Sequence, residues 1–292
     1  AVARAFAADA PREGTLVDAR AILLARSTDT GDRAREPLAL GLAPGQPTRL
    51  APWGLFDGVA RGGGEAARLR WASLARGPVR IAVLATESAE QGATIARAVE
   101  RYLPRESREA ARQCPTAAPW VPPVGAQRAA PLPAGHAPRA FVTVPVDASG
   151  GGQAAATLTA HALGGDGGLL ERALESTGAR ASAYLLGAPA SSVLVVEIAG
   201  PDPALDPAIA QVRALLSRVG RGALSAPELE RATARFAQST MEAQLSPRKR
   251  LVDLWRGLPS PDAPTAPALA AWLAARLRDD RVSVTTARVT PP

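Results

Sequence analysis

From Ala140 to the end of the chain, apolar residues recur with two periods, and the switches between them mark out the elements. Phe141 to Val146 carries a strand-like alternation. After Gly150 to Gly152 comes an Ala-rich helix that stops at Gly164 and Gly165. Leu169, Leu170, Ala173 and Leu174 then share one face of a short amphipathic helix. Two strands follow, Ala181 to Leu186 and Val193 to Ala199, joined through Gly187, Pro189 and two serines. Asp206 and Pro207 make a favoured N-cap and N1 pair for a helix whose face holds Ile209, Val212, Leu216 and Val219 and whose stop is Gly220. Ser225 and Glu228 form a capping box that opens another helix, with Leu229, Ala232 and Phe236 in one stripe. A proline-broken loop from Ser260 to Pro267, a helix around Leu269 to Leu277 and a strand from Arg281 to Val289 finish the chain. This order of parts predicts an α+β fold, a two-layer sandwich with helices on one face of a mainly antiparallel sheet. Phe141, Val144, Val193, Val195, Ile209, Val212 and Phe236 are expected to share one core.

The first half is less regular. Ala1 to Ala8 and Leu16 to Arg26 suit short helices, whereas Asp29 to Gly45 is polar and breaker-rich and reads as a loop or irregular connection. Pro52-Trp53-Gly54 and Gly62-Gly63-Gly64 mark turns. The glycine run is no phosphate loop, because no Gly-Lys-Ser/Thr follows it. Val79 to Thr86 predicts a strand, and Ser88 with Gln91 opens a helix on which Ile95, Val99 and Leu103 lie one above another until Pro104 ends it. Cys114 to Pro138 is proline-dense and without period, so it predicts a semi-rigid linker. Residues 1–113 thus form a partial or degenerate first domain, 114–138 a linker, and 139–292 a complete second domain.

Composition changes this picture little. At 292 residues and 47% apolar the chain has material for real cores, built from Ala, Leu and Val because aromatics are only 4%. The net charge of +7 raises nucleic acid as a partner. Against that, all but one of the 34 basic residues are Arg, interleaved with acids along the chain, as GC-rich, bacterial-type coding produces. Nucleic acid is therefore not an expected partner, and Arg248-Lys249-Arg250 reads as a solvated helix surface. Cys114 has no partner for an intrachain disulfide. No run of about 18 strongly apolar residues predicts a transmembrane segment. The first residue is Ala; if that reflects a removed leader, periplasm or cell envelope is the favoured compartment.

The stretch from Thr157 to Gly200 carries the most functional information. Leu163-Gly164-Gly165, then Gly167 and Gly168, then Leu170, Leu174 and Gly178 lead into a β-hairpin, and Arg221 to Leu229 opens a later helix. This order resembles the pitrilysin/insulinase-like metallopeptidase family, which includes mitochondrial processing peptidases and the core subunits of respiratory cytochrome bc complexes. The likeness extends to about Trp255. Active members of that family hold zinc with an inverted His-x-x-Glu-His on a first-domain helix. Here the only two histidines, His136 and His161, are too far apart for that motif. Each is expected to be structural, and no catalytic or metal residue is assigned. The family's substrate-gripping Arg and Tyr slots fall on Glu175 and Ala181, with Arg180 and Tyr184 nearby. Cys114 has neither a His nor a helix N-terminus near it in sequence to lower its pKa.

The resemblance thus implies a non-catalytic subunit that pairs with a homologous zinc-bearing peptidase subunit and helps enclose a chamber for peptide substrate. Zinc is expected only in that partner, with no cofactor in this chain. The residues it points to for substrate binding are Gly164, Gly165, Gly167, Gly168, Arg180 and Tyr184. The alternative is a structural core-type subunit of a larger complex, with no role in proteolysis.

Overall fold

This computed structural model describes residues 13–29, 35–43, 88–101, 121–132, 135–146, 151–188, 191–222, 224–256 and 262–288, with isolated positions between 61 and 83. The elements in chain order are α1 (Glu13–Asp29), α2 (Glu36–Leu42), α3 (Ala89–Arg101), β1 (Gln127–Pro131), β2 (Arg139–Val146), α4 (Gly152–Leu163), α5 (Leu169–Leu174), β3 (Arg180–Ala188), β4 (Ser191–Ala199), α6 (Asp202–Gly220), α7 (Ala226–Leu245), α8 (Pro247–Arg256), α9 (Ala266–Arg276) and β5 (Ser283–Arg288). The helix expected at Ala1 to Ala8 and nearly all of the strand expected at Val79 to Thr86 lie outside the described residues.

The chain divides into two compact units. One comprises Ala1–Thr30, Phe56–Ala118 and Glu242–Pro259, and its described helices include α1 and α3. Ser88 caps α3 as the sequence implies, its Oγ accepting the Gln91 N–H at 3.1 Å. The other unit comprises Gly31–Leu55, Pro119–Met241 and Ser260–Pro292. It is built on a five-stranded sheet in the order β1-β5-β2-β4-β3. Every pairing is antiparallel except β1 with β5. The α+β architecture is therefore the one the sequence implies.

Strand alternation sorts the sheet into two faces. Val142, Val144, Leu194, Val196 and Ile198 point to the side where α4, α5, α6 and α9 lie, and there they join the main core. The Ala-rich α4 is apolar almost all round, which fits a helix buried on most sides. Its two threonines turn their hydroxyls back onto carbonyls one turn earlier, Thr157 to Gln153 and Thr159 to Ala155.

The opposite face is not bare. Phe141, Val193 and Val195 form a second cluster with Leu38 and Leu42 of α2. Three of the seven residues expected in one core thus belong to the other side of the sheet, while Val144, Val212 and Phe236 are in the main core and Ile209 packs at its edge. The single helical layer expected from sequence gains a short second one. α2 approaches closely: a Cβ on Gly41 would lie 2.1 Å from Thr285 Oγ1, so only hydrogen fits at that crossing.

Three local readings are corrected. α2 occupies part of the expected loop at Asp29 to Gly45, and β1 lies inside the expected linker. α6 starts at Asp202, with Pro201 at the N-cap and Pro203 in the first turn, so Pro207 falls inside the helix rather than at its start. Pro203 fills the role the sequence gives to Pro207, and Asp206 instead pairs with Arg288 of β5.

Candidate functional site

Gly164 to Gly168 carries the chain from the end of α4 to the start of α5, and three forces shape it. The first is backbone geometry. Gly165 and Gly167 sit at φ +77° and +67°, where a side chain is strained. The second is crowding at Gly168, which has extended backbone (φ −68°, ψ 169°) but whose missing Cβ would meet the carbonyl oxygens of Gly164 and Leu163 at 2.6 and 2.7 Å. The third is a clamp from α7. Arg235 donates through Nη1 to Gly164 O at 2.8 Å and through Nη2 to Asp166 O at 2.5 Å. Arg231 reaches Gly167 O at 3.5 Å, and the Gly167 N–H donates to Glu171 Oε2 at 2.5 Å. Charged groups thus tie down the carbonyls of the loop, and Arg235 Nη1 also reaches His161 O in the last turn of α4 at 3.4 Å.

His161, on the last turn of α4, faces the same helix. Ser239 donates its hydroxyl to Phe236 O at 3.0 Å, so its oxygen is left to accept from His161 Nε2–H at 3.1 Å. The imidazole also stands edge-on to Phe236, with ring centroids 6.5 Å apart. Burial, and then the nearby Arg235 charge, hold its pKa below the ordinary histidine value. Among the described residues its surroundings are a hydroxyl, a phenyl ring and a cation. Among the described residues no three His, Cys, Asp or Glu side chains come together as metal ligands. The described residues around His161 therefore offer no ligand set for zinc.

Arg180 and Tyr184 are elsewhere. On β3, Ala181, Ala183 and Leu185 point to the helical face, so Arg180 and Tyr184 point to the α2 face. The structure therefore brings the four glycines together and separates them from Arg180 and Tyr184 by the thickness of the sheet. Arg180 is exposed. Tyr184 belongs to a network that the sequence does not announce. Its hydroxyl donates to Glu197 Oε2 at 3.0 Å, and Arg35 stacks over its ring at 4.8 Å while approaching Glu197 at 3.5 Å. Arg139 completes the network by pairing with the other Glu197 oxygen. Burial first, and the Glu197 charge second, push the Tyr184 phenol well above its ordinary pKa. The signal available in sequence is Glu197 itself, an acid in the apolar run Val193 to Ala199, which must find a cation if it is buried.

No protein-family model and no curated protein matches the chain. Solved structures do. A protease from Helicobacter pylori superposes with a TM-score of 0.71 at 14% identity, covering 96% of this chain and 73% of that one. The peptidase M16 inactive domain from Pseudomonas fluorescens does so at 0.67 and 16%, covering 96% and 72%. A chain of Complex III2 from Candida albicans reaches 0.65 at 12%, covering 92% and 70%. The fold is that of the M16-type peptidases. Within this M16-type fold the chain lacks the inverted two-histidine motif anywhere in its sequence.

The geometry of the loop sets distinct costs for substitution. Gly167→Ala should lower stability by about 1 kcal/mol through its positive φ. Gly168→Ala, which forces a methyl group against two backbone oxygens, should cost roughly 1–3 kcal/mol. Urea denaturation of the two variants reads the order directly. A larger loss at Gly167 than at Gly168 would contradict the crowding described here.

Proposed function

We propose that this chain is a non-catalytic pitrilysin-like subunit that pairs with an active zinc-bearing homologue and forms part of the wall of its peptide chamber. The observation that carries this reading is the M16-type fold, shared at a TM-score of 0.67 with a domain described as inactive, in a sequence without the metal motif. Zinc and the water it activates belong to the partner. This chain contributes surface through the clamped glycine loop, whose backbone lies low for want of side chains; Arg180 and Tyr184, on the other sheet face, are not part of that wall, and Tyr184 is held by Glu197 and Arg35. Because Arg231 and Arg235 hold the loop carbonyls, the loop acts as a fixed piece of wall and not as a moving flap.

The test is affinity purification of the tagged chain from its native host, with mass spectrometry of what is retained. The expected partner carries His-x-x-Glu-His, and the complex, but not this chain alone, contains stoichiometric zinc and cleaves peptide. Stoichiometric zinc in the isolated chain after dialysis against a weak chelator would overturn the assignment. One observation favours a second reading, a structural core-type subunit without a role in proteolysis: the likeness to a chain of Complex III2. Recovery of membrane respiratory subunits in place of a peptidase would select it.

A further inference from the structure

An open groove of about 380 Å³ runs over the helical layer between α5, α6 and the first turn of α7. None of the six candidate substrate residues lines it. Leu169, Ala173, Ala214 and Leu215 give it an aliphatic floor, and its polar groups fall into two classes. Arg172 and Glu228 satisfy each other, with Arg172 Nη2 2.7 Å from Glu228 Oε1. Glu228 Oε2 in addition accepts the Ser225 N–H at 2.9 Å. Arg218 and Gln211 are not satisfied in this way. Arg218 has no hydrogen-bond or ion-pair partner for its guanidinium among the described residues, and Gln211 Oε1 has no donor. Among the described residues the groove therefore carries one uncompensated positive charge beside an apolar floor and an unanchored amide.

We propose that this groove binds the carboxyl-terminal end of an extended peptide whose last side chain is apolar. Each unsatisfied feature then has a counterpart. The terminal carboxylate pairs with the Arg218 fork, which suits a carboxylate better than a lysine would. The last side chain covers Leu169, Ala173 and Leu215. The Gln211 amide turns about its broad terminal torsion to accept the N–H of the last peptide bond. A single carboxylate balances the one cation left unpaired among the described residues, whereas an acidic peptide would leave charge unpaired. The volume is near the lower end of ligand sites, which run from about 300 to 1,000 Å³. The open side gives the rest of the peptide a way out, as an enclosed small-molecule site would not. This site does not rest on the chamber reading and stands or falls separately.

The experiment measures binding of a fluorescently labelled Ala-Ala-Ala-Leu peptide to the full chain, as the free acid and as the C-terminal amide, by fluorescence polarisation. The amide should bind at least about tenfold more weakly. Arg218→Gln should weaken the acid by a similar factor and leave the amide unchanged, while Ala214→Trp should block both by filling the floor. Both positions are exposed, and melting curves check that the variants remain folded. Equal affinity for acid and amide, or an Arg218→Gln variant that binds the acid normally, would overturn the proposal. So would the absence of binding at millimolar peptide. N-acetyl-leucine binding as tightly as the peptide would overturn the peptide assignment and leave a site for small carboxylates.

Discussion

Truncating Phe236 to Ala is expected to lower the free energy of unfolding by about 3–5 kcal/mol. α7 is a twenty-residue helix whose buried residues are Ala232 and Phe236 alone, so the phenyl ring is its main apolar anchor in the core. Only 3% of Phe236 is exposed, and the ring stands against His161 of α4. Removing it leaves a cavity lined by groups that cannot collapse easily, because Arg235 beside it is fixed to the glycine-loop carbonyls. A second signature separates this cavity from a general loosening. The His161 imidazole is held below its ordinary pKa by burial first, so water entering the cavity should move its titration back upward. NMR titration of the histidine ring protons, alongside urea denaturation, reads both effects. A stability loss under about 1 kcal/mol with an unmoved His161 would mean that α7 does not pack as described.

The way Phe236 was legible, and Phe141 was not, shows where sequence reasoning stops. Phe236 lies in a helical stripe with Leu229 and Ala232, and such a stripe names its own buried face. Phe141 sits in a strand buried on both faces, where period two gives no inside and outside. Its assignment to the α2 side depends on Leu38 and Leu42, which come from a seven-residue helix holding an internal glycine. Local pattern gives such a short segment no warrant for a helix; only the sheet beneath it supplies one. β1 is hidden for a related reason. Gln-Arg-Ala-Ala-Pro has no apolar alternation, is half exposed, and takes its position from parallel pairing to β5, more than a hundred residues later. The glycine loop was readable as a turn because glycines at consecutive sites restrict the alternatives. Its clamp was not, since nothing in the spacing of Arg231 and Arg235 says which carbonyls they meet. Arg180 and Tyr184 share a parity along β3, and which face that parity selects is fixed by the helices that pack on the other one.

Replacing Glu197 by Ala is the other change expected to cost heavily, about 3 kcal/mol, because it breaks a buried pair from one side. Glu197 lies on β4 between β2 and β3, opposite Phe141 and Ser182, and is 8% exposed. Its two oxygens take Arg139, Tyr184 and Arg35, so one truncation leaves the partly buried Arg139, the exposed Arg35 and a phenol without their acceptor. Arg139 also has a buried Nε without a hydrogen-bond partner, and it can least tolerate the loss. The figure is set at the lower end of the usual range because the Arg139 side chain keeps 24% exposure and can recover some water. Glu197→Gln keeps the shape and the acceptor for Tyr184 and should cost less. Tyr184→Phe removes a single hydrogen bond and should cost about 1 kcal/mol. The order Ala, Gln, then the Tyr184 variant is the diagnostic outcome in denaturant titrations. The phenol supplies an independent check. The Glu197 charge helps hold its ionisation above the ordinary range, so ultraviolet titration of the Glu197→Ala variant should show Tyr184 ionising at lower pH than in the parent. An unmoved tyrosine together with a loss under about 1 kcal/mol would mean that the network is a surface arrangement with no hold on the α2 face of the sheet.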